Sequence, residues 1–253
     1  SSSDWEVIHT PGHTIDGICL YHAPTKTAFT GDVVLPHAVG APDRAAGGRL
    51  DHYLFGLRAL LKREIETVLP GHGLPVPSGG RKVIEETYES VMMKVLEVEG
   101  PIPWLQGATA LAQRGLLEEA VFCCEKELAC HPENLRALEL KASCLNDLDR
   151  GAEAVEAFDR ILAYKSDSAF ALAGKGCALM GLGRYEESLS YFEDALKLEP
   201  QRREALIYKG MALYLSGRAE EAMEIEAFST EFAERFKEEL RRRAQPSGGA
   251  GGS

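Results

Sequence analysis

The chain has 253 residues, a hydrophobic content of 45% and a formal net charge of -11. These values are ordinary for one large or two modest globular domains. The negative charge argues against nucleic-acid binding through phosphate contacts, which needs a clustered basic face. No apolar stretch of the sequence approaches the ~18 residues of a membrane span, and Ser1-Ser2-Ser3 lacks the features of a signal peptide. The composition therefore predicts a cytoplasmic protein without nucleic-acid or membrane partners.

The six cysteines are scattered, which matches neither a disulfide framework nor paired C-x-x-C metal knuckles. Cys123, Cys124 and Cys130 lie close together on a predicted helix. We interpret them as small packing residues rather than as metal ligands.

The first part of the chain has the pattern of an α/β layer. Short apolar runs predict strands at residues 6–9, 17–21, 27–30 and 65–69. Asp51 is expected to cap a helix that runs to about Lys62, and strand, helix, strand indicates a parallel crossover. A further helix over residues 80–98 ends at Gly100-Pro101, so we predict a first domain over residues 1–99.

Beyond Pro101 the sequence repeats itself at a constant interval, with equivalent positions at Pro101, Leu135, Ala169 and Arg203. The third copy carries large, small, aromatic and breaker residues in the tetratricopeptide order: Leu172, Gly176, Leu179, Gly183, Tyr185, Ser188, Phe192, Ala195 and Pro200. This part resembles a tetratricopeptide array and predicts an all-α solenoid over residues 101–243, including a terminal helix. In the fourth copy Glu226 stands where a buried aromatic residue belongs. Residues 244–253 are rich in Gly and Ser and are expected to be disordered.

Three glycine-containing turns carry metal-ligand residues: Thr10-Pro11-Gly12-His13-Thr14, Thr30-Gly31-Asp32 and Leu69-Pro70-Gly71-His72-Gly73. Each turn follows a predicted strand, so His13, Asp32 and His72 are expected to converge on one edge of the sheet. Imidazole and carboxylate groups are the donors that zinc prefers, although iron and manganese accept them too.

These turns resemble the C-terminal half of the metallo-β-lactamase superfamily, especially its glyoxalase II-like branch, over residues 4–96. The resemblance implies part of an αββα fold with two zinc ions. It also implies that His13 ligates the first ion, His72 ligates the second, and Asp32 bridges both and positions the catalytic hydroxide. It leaves open whether the substrate is a thioester, a lactone, a β-lactam or a phosphodiester.

The sequence departs from that superfamily in one respect, because it lacks the H-x-H-x-D-H motif that supplies two further ligands to each metal. Asp51-His52 matches the last two residues of the motif. Gly47 and Arg49, however, stand where the motif needs its first two histidines. The resemblance thus implies an incomplete ligand set, a chain inactive by itself, and one sheet face without its covering layer. We interpret His9 as a strand or ligand-orienting residue rather than as a ligand.

The repeat array is expected to bind a protein or peptide in a groove lined by the first helix of each repeat. The predicted groove residues are Leu105, Glu139, Asn146, Cys177, Met180, Ile207, Met211 and Tyr214. The Lys and Asn clamp that holds terminal carboxylates in some members is absent from the matching positions. An equally weighted alternative is that the apolar members pack against a terminal helix around Phe228, Phe232 and Phe236.

Two functions follow. The first is a metal-dependent hydrolase portion joined to a tetratricopeptide module for partner or oligomer contacts. The alternative is a non-catalytic scaffold that carries a vestigial or truncated hydrolase half-domain.

Overall fold

The structure, a computed structural model, describes residues 4–36 and 42–244, with side chains described as far as Arg235. The chain divides between Pro103 and Trp104 into two compact units. The predicted disordered tail lies outside the described residues except for Ala244, which ends a helix, and the side chain of Phe236 also lies outside them. Within the described part, no helix is both long and apolar enough to cross a bilayer.

The first unit combines a small sheet with two helices. In chain order its elements are β1 (Trp5–His9), β2 (Ile18–His22), β3 (Thr27–Gly31), α1 (Leu50–Leu61), β4 (Thr67–Pro70) and α2 (Gly80–Leu96). A single 3₁₀ turn, Ala23–Thr25, joins β2 to β3 and ends at Lys26, which adopts a left-handed conformation with φ of +50°. The expected α/β layer is therefore present.

The sheet has the order β1-β2-β3-β4. Strands β1 and β2 pair antiparallel, as do β2 and β3, whereas β3 and β4 pair parallel across the α1 crossover. Strands β1, β3 and β4 consequently run in the same direction. Their carboxyl ends lie at one edge of the sheet, and the three histidine and aspartate turns leave from that edge.

The inner face of the sheet is closed by apolar packing. Alternate strand residues are buried: Ile8, Cys19, Tyr21, Ala28 and Val68. Apolar residues of α1 and α2 are also buried, including Tyr53, Leu54, Leu57, Ile84, Tyr88 and Met92. This alternation is the period-two pattern of a strand with one covered face.

The start of α1 differs from the prediction. The N-cap position is Arg49 and no side chain caps the helix, so the prediction of Asp51 as the capping residue is wrong. Asp51 instead lies in the first helical turn, where it accepts two hydrogen bonds from the Arg49 guanidinium at 3.0 and 2.8 Å. A carboxylate in the first turn still offsets the positive end of the helix dipole.

The outer face of the sheet is apolar and exposed in the part of the chain that the structure describes. Its side chains come from β1, β2 and β3 and are all more than a third exposed: Trp5, Val7, Ile18, Leu20 and Phe29. The Trp5 ring lies 4.7 Å from the His22 ring and 5.7 Å from the Phe29 ring, centroid to centroid. A contiguous apolar face of this kind is typical of a surface that packs against another layer.

A pair of neighbouring substitutions tests whether this face is open. Phe29 is 46% exposed, whereas Ala28 is fully buried on the inner face. We expect Phe29→Lys to change the free energy of unfolding by no more than about 0.5 kcal/mol. Ala28→Lys should cost several kcal/mol, because it buries an amine without a partner. Urea unfolding measures both, and a large loss for Phe29→Lys would show that the outer face is covered in solution.

The second unit is helical throughout its described residues, 104–244, apart from the turns between helices. Its elements are α3 (Trp104–Gln113), α4 (Leu117–Cys130), α5 (Leu135–Asp147), α6 (Gly151–Tyr164), α7 (Ala169–Gly181), α8 (Tyr185–Leu198), α9 (Arg203–Leu215), α10 (Ala219–Glu224) and α11 (Glu226–Ala244). Helices α5, α7 and α9 begin at three of the equivalent positions of the sequence repeat. The α/β layer followed by an all-α repeat unit is the predicted fold class.

Local chemistry explains where these helices begin and turn. The Asn134 and Ser168 side chains accept hydrogen bonds from the backbone N–H of the third residue of α5 and α7. The turn inside each repeat needs a left-handed residue, which is Gly115, Gly183 or Gly217 in three repeats. In the second repeat Asp149 takes this conformation, with φ of +56°.

Close packing between a glycine and an aromatic ring joins the two helices of a repeat. A Cβ added to Gly176 would lie 2.7 Å from the Phe192 ring, and Phe192 itself is fully buried. In the fourth repeat α10 ends early, at Glu224, and Phe228 of α11 packs on Gly210 in the same way. Phe228 therefore takes the place of the buried aromatic residue that the repeat pattern expects at position 226, where this chain has Glu226.

A ladder of ion pairs connects successive repeats. Lysines at equivalent positions of α5, α7 and α9 each contact an acidic side chain on the preceding helix: Lys141 with Glu125, Lys175 with Asp159, and Lys209 with Glu193. Lys175 also donates to the Tyr191 hydroxyl at 2.7 Å. Exposed pairs contribute little to stability individually, and these three recur at the same position of each boundary between neighbouring repeats.

The cysteines of the repeat unit are mostly buried. Cys123 and Cys124 are fully buried, as the packing interpretation requires, and burial raises the pKa of Cys124 to about 12. Cys130 is exposed, so that interpretation is wrong for Cys130. Cys130 is the last residue of α4.

Candidate metal centre and repeat cavity

His13, Asp32 and His72 meet at the carboxyl edge of the sheet. The Asp32 carboxylate lies between the two rings: its Oδ1 is 2.6 Å from His72 Nδ1, and its Oδ2 is 3.9 Å from His13 Nε2. The Asp32 side chain is 27% exposed, whereas the His72 side chain is 80% exposed. One carboxylate thus faces two imidazoles that arrive from different strands.

Backbone approach explains how Asp32 and His72 come so close. The Gly71 N–H donates to the Gly31 carbonyl oxygen at 2.8 Å, which joins the turn after β4 to the turn after β3. A Cβ on Gly71 would lie 2.8 Å from Asp32 Oδ1. Glycine at this position therefore leaves the space that the carboxylate occupies.

A buried polar network ties together the strands that lead into two of the turns. The Thr10 hydroxyl and the Cys19 thiol are hydrogen-bonded at 3.1 Å, and the Cys19 thiol donates to the Thr30 carbonyl oxygen at 3.5 Å. Burial raises the pKa of Cys19 to about 11, so the thiol remains protonated at neutral pH. Thr10 and Thr30 are both fully buried.

Tyr53 approaches the site from α1. It is fully buried, and its hydroxyl donates to the backbone carbonyl oxygen of Asp32 at 2.7 Å. Burial, together with the nearby charge of Asp32, raises the pKa of Tyr53 to about 12. The phenol therefore remains a hydrogen-bond donor at neutral pH.

His9 and His52 take different positions from the three site residues. His9 Nε2 lies 3.1 Å from the Ile15 carbonyl oxygen, within the segment that carries His13. His52 lies in the first turn of α1, and its Nδ1 is buried without a hydrogen-bond partner.

The three side chains fit a metal in donor type but not in number. Zinc is normally held by four ligands, or by three protein ligands and a water. Among residues 4–36 and 42–235, no group of three or more His, Cys, Asp or Glu side chains is arranged to hold a metal ion. The direct 2.6 Å contact between Asp32 and His72 also leaves no room for an ion between those two atoms. A complete two-metal site is therefore not formed by the described residues.

The repeat unit contains a cavity of about 300 Å³ on its early helices. Its lining combines apolar, hydroxyl and charged side chains from α3, α5 and α7: Leu105, Thr109, Arg136, Glu139, Leu140, Ser143 and Phe170. Leu105 and Glu139 of the predicted groove belong to this lining. Asn146 does not, and its amide donates to the Gly174 carbonyl oxygen at 3.1 Å.

The later groove residues pack against the end of the array. Cys177, Met180 and Met211 contact a buried cluster that includes Phe192 and Phe228. The Tyr214 ring lies 6.2 Å from the Phe228 ring and 5.4 Å from the Phe232 ring, centroid to centroid. Ile207 is half-buried on α9. This arrangement corresponds to the alternative in which α11 covers apolar residues of the last repeats.

Comparison with known families agrees with both parts of the architecture. The model of the metallo-beta-lactamase superfamily matches residues 1–72, and that of the tetratricopeptide repeat matches residues 105–169 and 174–227. The chain carries a metallo-β-lactamase superfamily segment followed by tetratricopeptide repeats. The metallo-β-lactamase match includes His13, Asp32 and His72, and the repeat match includes every residue of the cavity lining except Phe170.

Curated relatives are metallo-hydrolase-like. The probable metallo-hydrolase YqjP of Bacillus subtilis is 28% identical over 147 residues, which cover 53% of this chain and 46% of that protein. The atrochrysone carboxyl ACP thioesterase of Aspergillus fumigatus is 27% identical over 122 residues, 46% of this chain and 37% of that protein. The uncharacterized protein ML0493 of Mycobacterium leprae is 36% identical over 78 residues, 30% of this chain and 36% of that protein. The chain thus spans less than half the length of these relatives.

Solved structures also resemble part of the chain. MamA from Desulfovibrio magneticus RS-1 is 21% identical, with a TM-score of 0.48, and the match covers 66% of this chain and 93% of that one. The first tetratricopeptide domain of human RPAP3 is 23% identical, with a TM-score of 0.43, over 47% of this chain and 93% of that one.

Sequence reasoning missed several residues of these sites. Tyr53 carries no motif and lies 21 residues from Asp32 along the chain, so only the packing of α1 on the sheet brings it to the site. Arg136 and Phe170 were also missed. They lie beside positions that the repeat pattern assigns to the groove. Assigning every residue of the first helix of each repeat to a helix face could have included them.

Proposed function

We propose that the first unit supplies His13, Asp32 and His72 to the metal centre of a zinc-dependent hydrolase, and that the remaining ligands come from polypeptide outside these 253 residues. In this proposal Asp32 would be the ligand shared by the two ions, because its carboxylate lies between His13 and His72. A metal at such a centre supplies an activated water and polarises the oxygen of the substrate. The cysteine distribution supports a cytoplasmic location for this protein.

One observation carries the proposal: a single carboxylate lies between two imidazoles that come from separate strands. This is the donor chemistry of a zinc site, and the relatives include a probable metallo-hydrolase and a thioesterase. The open apolar face beside the site supports the need for a further layer.

Metal content per chain, measured by elemental mass spectrometry after dialysis against a weak chelator, tests the proposal. We expect no more than one zinc ion per chain, held weakly, because three donors cannot complete two ions. Two tightly held ions would contradict the need for outside ligands. Zinc uptake that does not depend on Asp32 would contradict the site itself.

For the second unit, we propose that the cavity on α3, α5 and α7 binds a protein or peptide partner. Leu105, Leu140 and Phe170 offer apolar contact, and Arg136 and Glu139 offer one charge of each sign. Interfaces of this composition draw most of their affinity from a few anchoring contacts. The partner is thus expected to insert one apolar side chain and to pair with Arg136.

Peptides selected from a phage-displayed random library against this chain test the cavity. Leu105→Ala and Arg136→Glu should each weaken the selected peptides by about tenfold, which is ~1.4 kcal/mol. Lys165→Glu, a charge reversal of a residue outside the cavity lining, is the matched control and should leave the affinity unchanged. Selected peptides that bind all variants equally would place the interaction elsewhere on the chain.

The scaffold alternative also has an observation in its favour. No three donor side chains in the described part of the chain are arranged to hold a metal. If the repeats bind a partner while the first unit takes up no zinc through Asp32, the chain acts as a non-catalytic scaffold. The metal measurement therefore separates the two functions.

A further inference from the structure

Tyr53 contacts two of the three ligand-bearing turns at once. Its hydroxyl donates to the Asp32 carbonyl oxygen at 2.7 Å, across 21 residues of chain. Its side chain is fully buried, so water does not replace this bond in the folded protein. The backbone of the turn after β3 is thus attached to α1 immediately beside the Asp32 carboxylate.

The other contact of Tyr53 is with the turn that carries His13. A Cβ built on Gly12 would lie 2.6 Å from Tyr53 Cα and 2.7 Å from Tyr53 Cγ. The Arg49 N–H, at the start of the same helix, donates to the Gly12 carbonyl oxygen at 3.2 Å. The residue that precedes His13 therefore lies directly against Tyr53 and the first turn of α1.

We propose that Tyr53 is a positioning residue that sets the separation of His13 and Asp32, and through Asp32 the placement of His72. This inference rests on the proposed metal centre. Metal ligands bind well only when groups around them hold their orientation, and the loss of one such group typically lowers metal affinity by about 10-fold to 100-fold. Tyr53 donates a hydrogen bond to the backbone of Asp32 and packs against Gly12, the residue before His13.

The chain provides a matched control in Tyr21. Tyr21 is also buried and also donates to a backbone carbonyl oxygen, that of Glu64, at 3.0 Å. Tyr21→Phe and Tyr53→Phe each delete one hydroxyl and one hydrogen bond to the backbone within the same unit. Both should therefore cost similar stability, and they differ in which turn loses its attachment.

Two measurements on the full chain test the inference. Zinc affinity, from competition with a chromophoric chelator, should fall about tenfold in Tyr53→Phe and stay at the wild-type value in Tyr21→Phe. Without metal, the imidazole ¹⁵N shifts of His13 and His72 should change in Tyr53→Phe alone. Equal affinities and unchanged imidazole shifts in both variants would overturn the positioning role.

The imidazole spectra also separate this inference from the proposed function. If the wild type takes up no zinc, the metal centre is wrong for this chain. The shifts of His13 and His72 still decide whether Tyr53 sets their arrangement. A change in Tyr53→Phe that also appears in Tyr21→Phe would indicate general loosening and would overturn the inference.

Discussion

Asp32→Asn should lower the zinc affinity of the chain by roughly 100-fold or more, the upper end of what is lost with a residue that merely orients a ligand. The substitution keeps the size of the side chain but removes its negative charge. Asp32 faces both His13 and His72, so its loss affects the whole donor set. The Tyr53 hydrogen bond goes to the Asp32 backbone and is retained, so the fold should be preserved.

Asp16→Asn is the appropriate comparison. Asp16 is an exposed carboxylate shortly after His13 in the chain, and its loss changes the net charge by the same amount. Titration with zinc, followed by competition with a chromophoric chelator, should give a wild-type affinity for Asp16→Asn. Equal losses in both variants would indicate a general electrostatic effect and would remove Asp32 from the proposed site.

Phe192→Ala should lower the free energy of unfolding of the repeat unit by about 3–5 kcal/mol. Phe192 is fully buried, packs on Gly176 and stacks on Tyr208 with a centroid separation of 6.3 Å. Removal of the Phe192 ring leaves a cavity between α7, α8 and α9, and Gly176 has no side chain to fill it. Urea unfolding followed by helical circular dichroism measures the loss.

The loss should also be local, because each repeat contacts chiefly its neighbours. Hydrogen exchange in Phe192→Ala should therefore accelerate in α7 to α9 while α3 to α5 keep their protection. Tyr164→Ala removes an aromatic ring that is 56% exposed and should change the stability by no more than about 0.5 kcal/mol. Uniform acceleration through all repeats would show that the array unfolds as one cooperative unit.

The fold could be predicted where the sequence pattern is local. Strand alternation around Ile8 and Ala28 gave the sheet, and the constant interval of the sequence repeat gave the starts of α5, α7 and α9. The break of α10 at Ile225 could not be predicted in this way. It depends on Phe228 reaching Gly210 in place of residue 226, which is a tertiary contact.

In the candidate site, too, the local features could be predicted and the tertiary contacts could not. Glycines next to His13, Asp32 and His72 marked turns, and strand direction placed those turns at one edge. The role of the three residues as metal ligands stays a prediction. Distances within the site depend on Tyr53 and on the approach of Gly71 to Asp32, and neither contact leaves a periodic signal in the sequence.

Because the ion pairs recur once per repeat, the array can become longer or shorter by whole repeats without losing them. A tandem duplication of residues 169–202 would set the new copy of Lys175 against the original Glu193, and the new copy of Glu193 against Lys209. Every lysine of the ladder would find an acidic partner, because each one pairs with an acidic residue of the helix before it. Growth or loss by one whole repeat therefore preserves these ion pairs, whereas an insertion of a few residues between Glu193 and Lys209 changes their spacing along the chain.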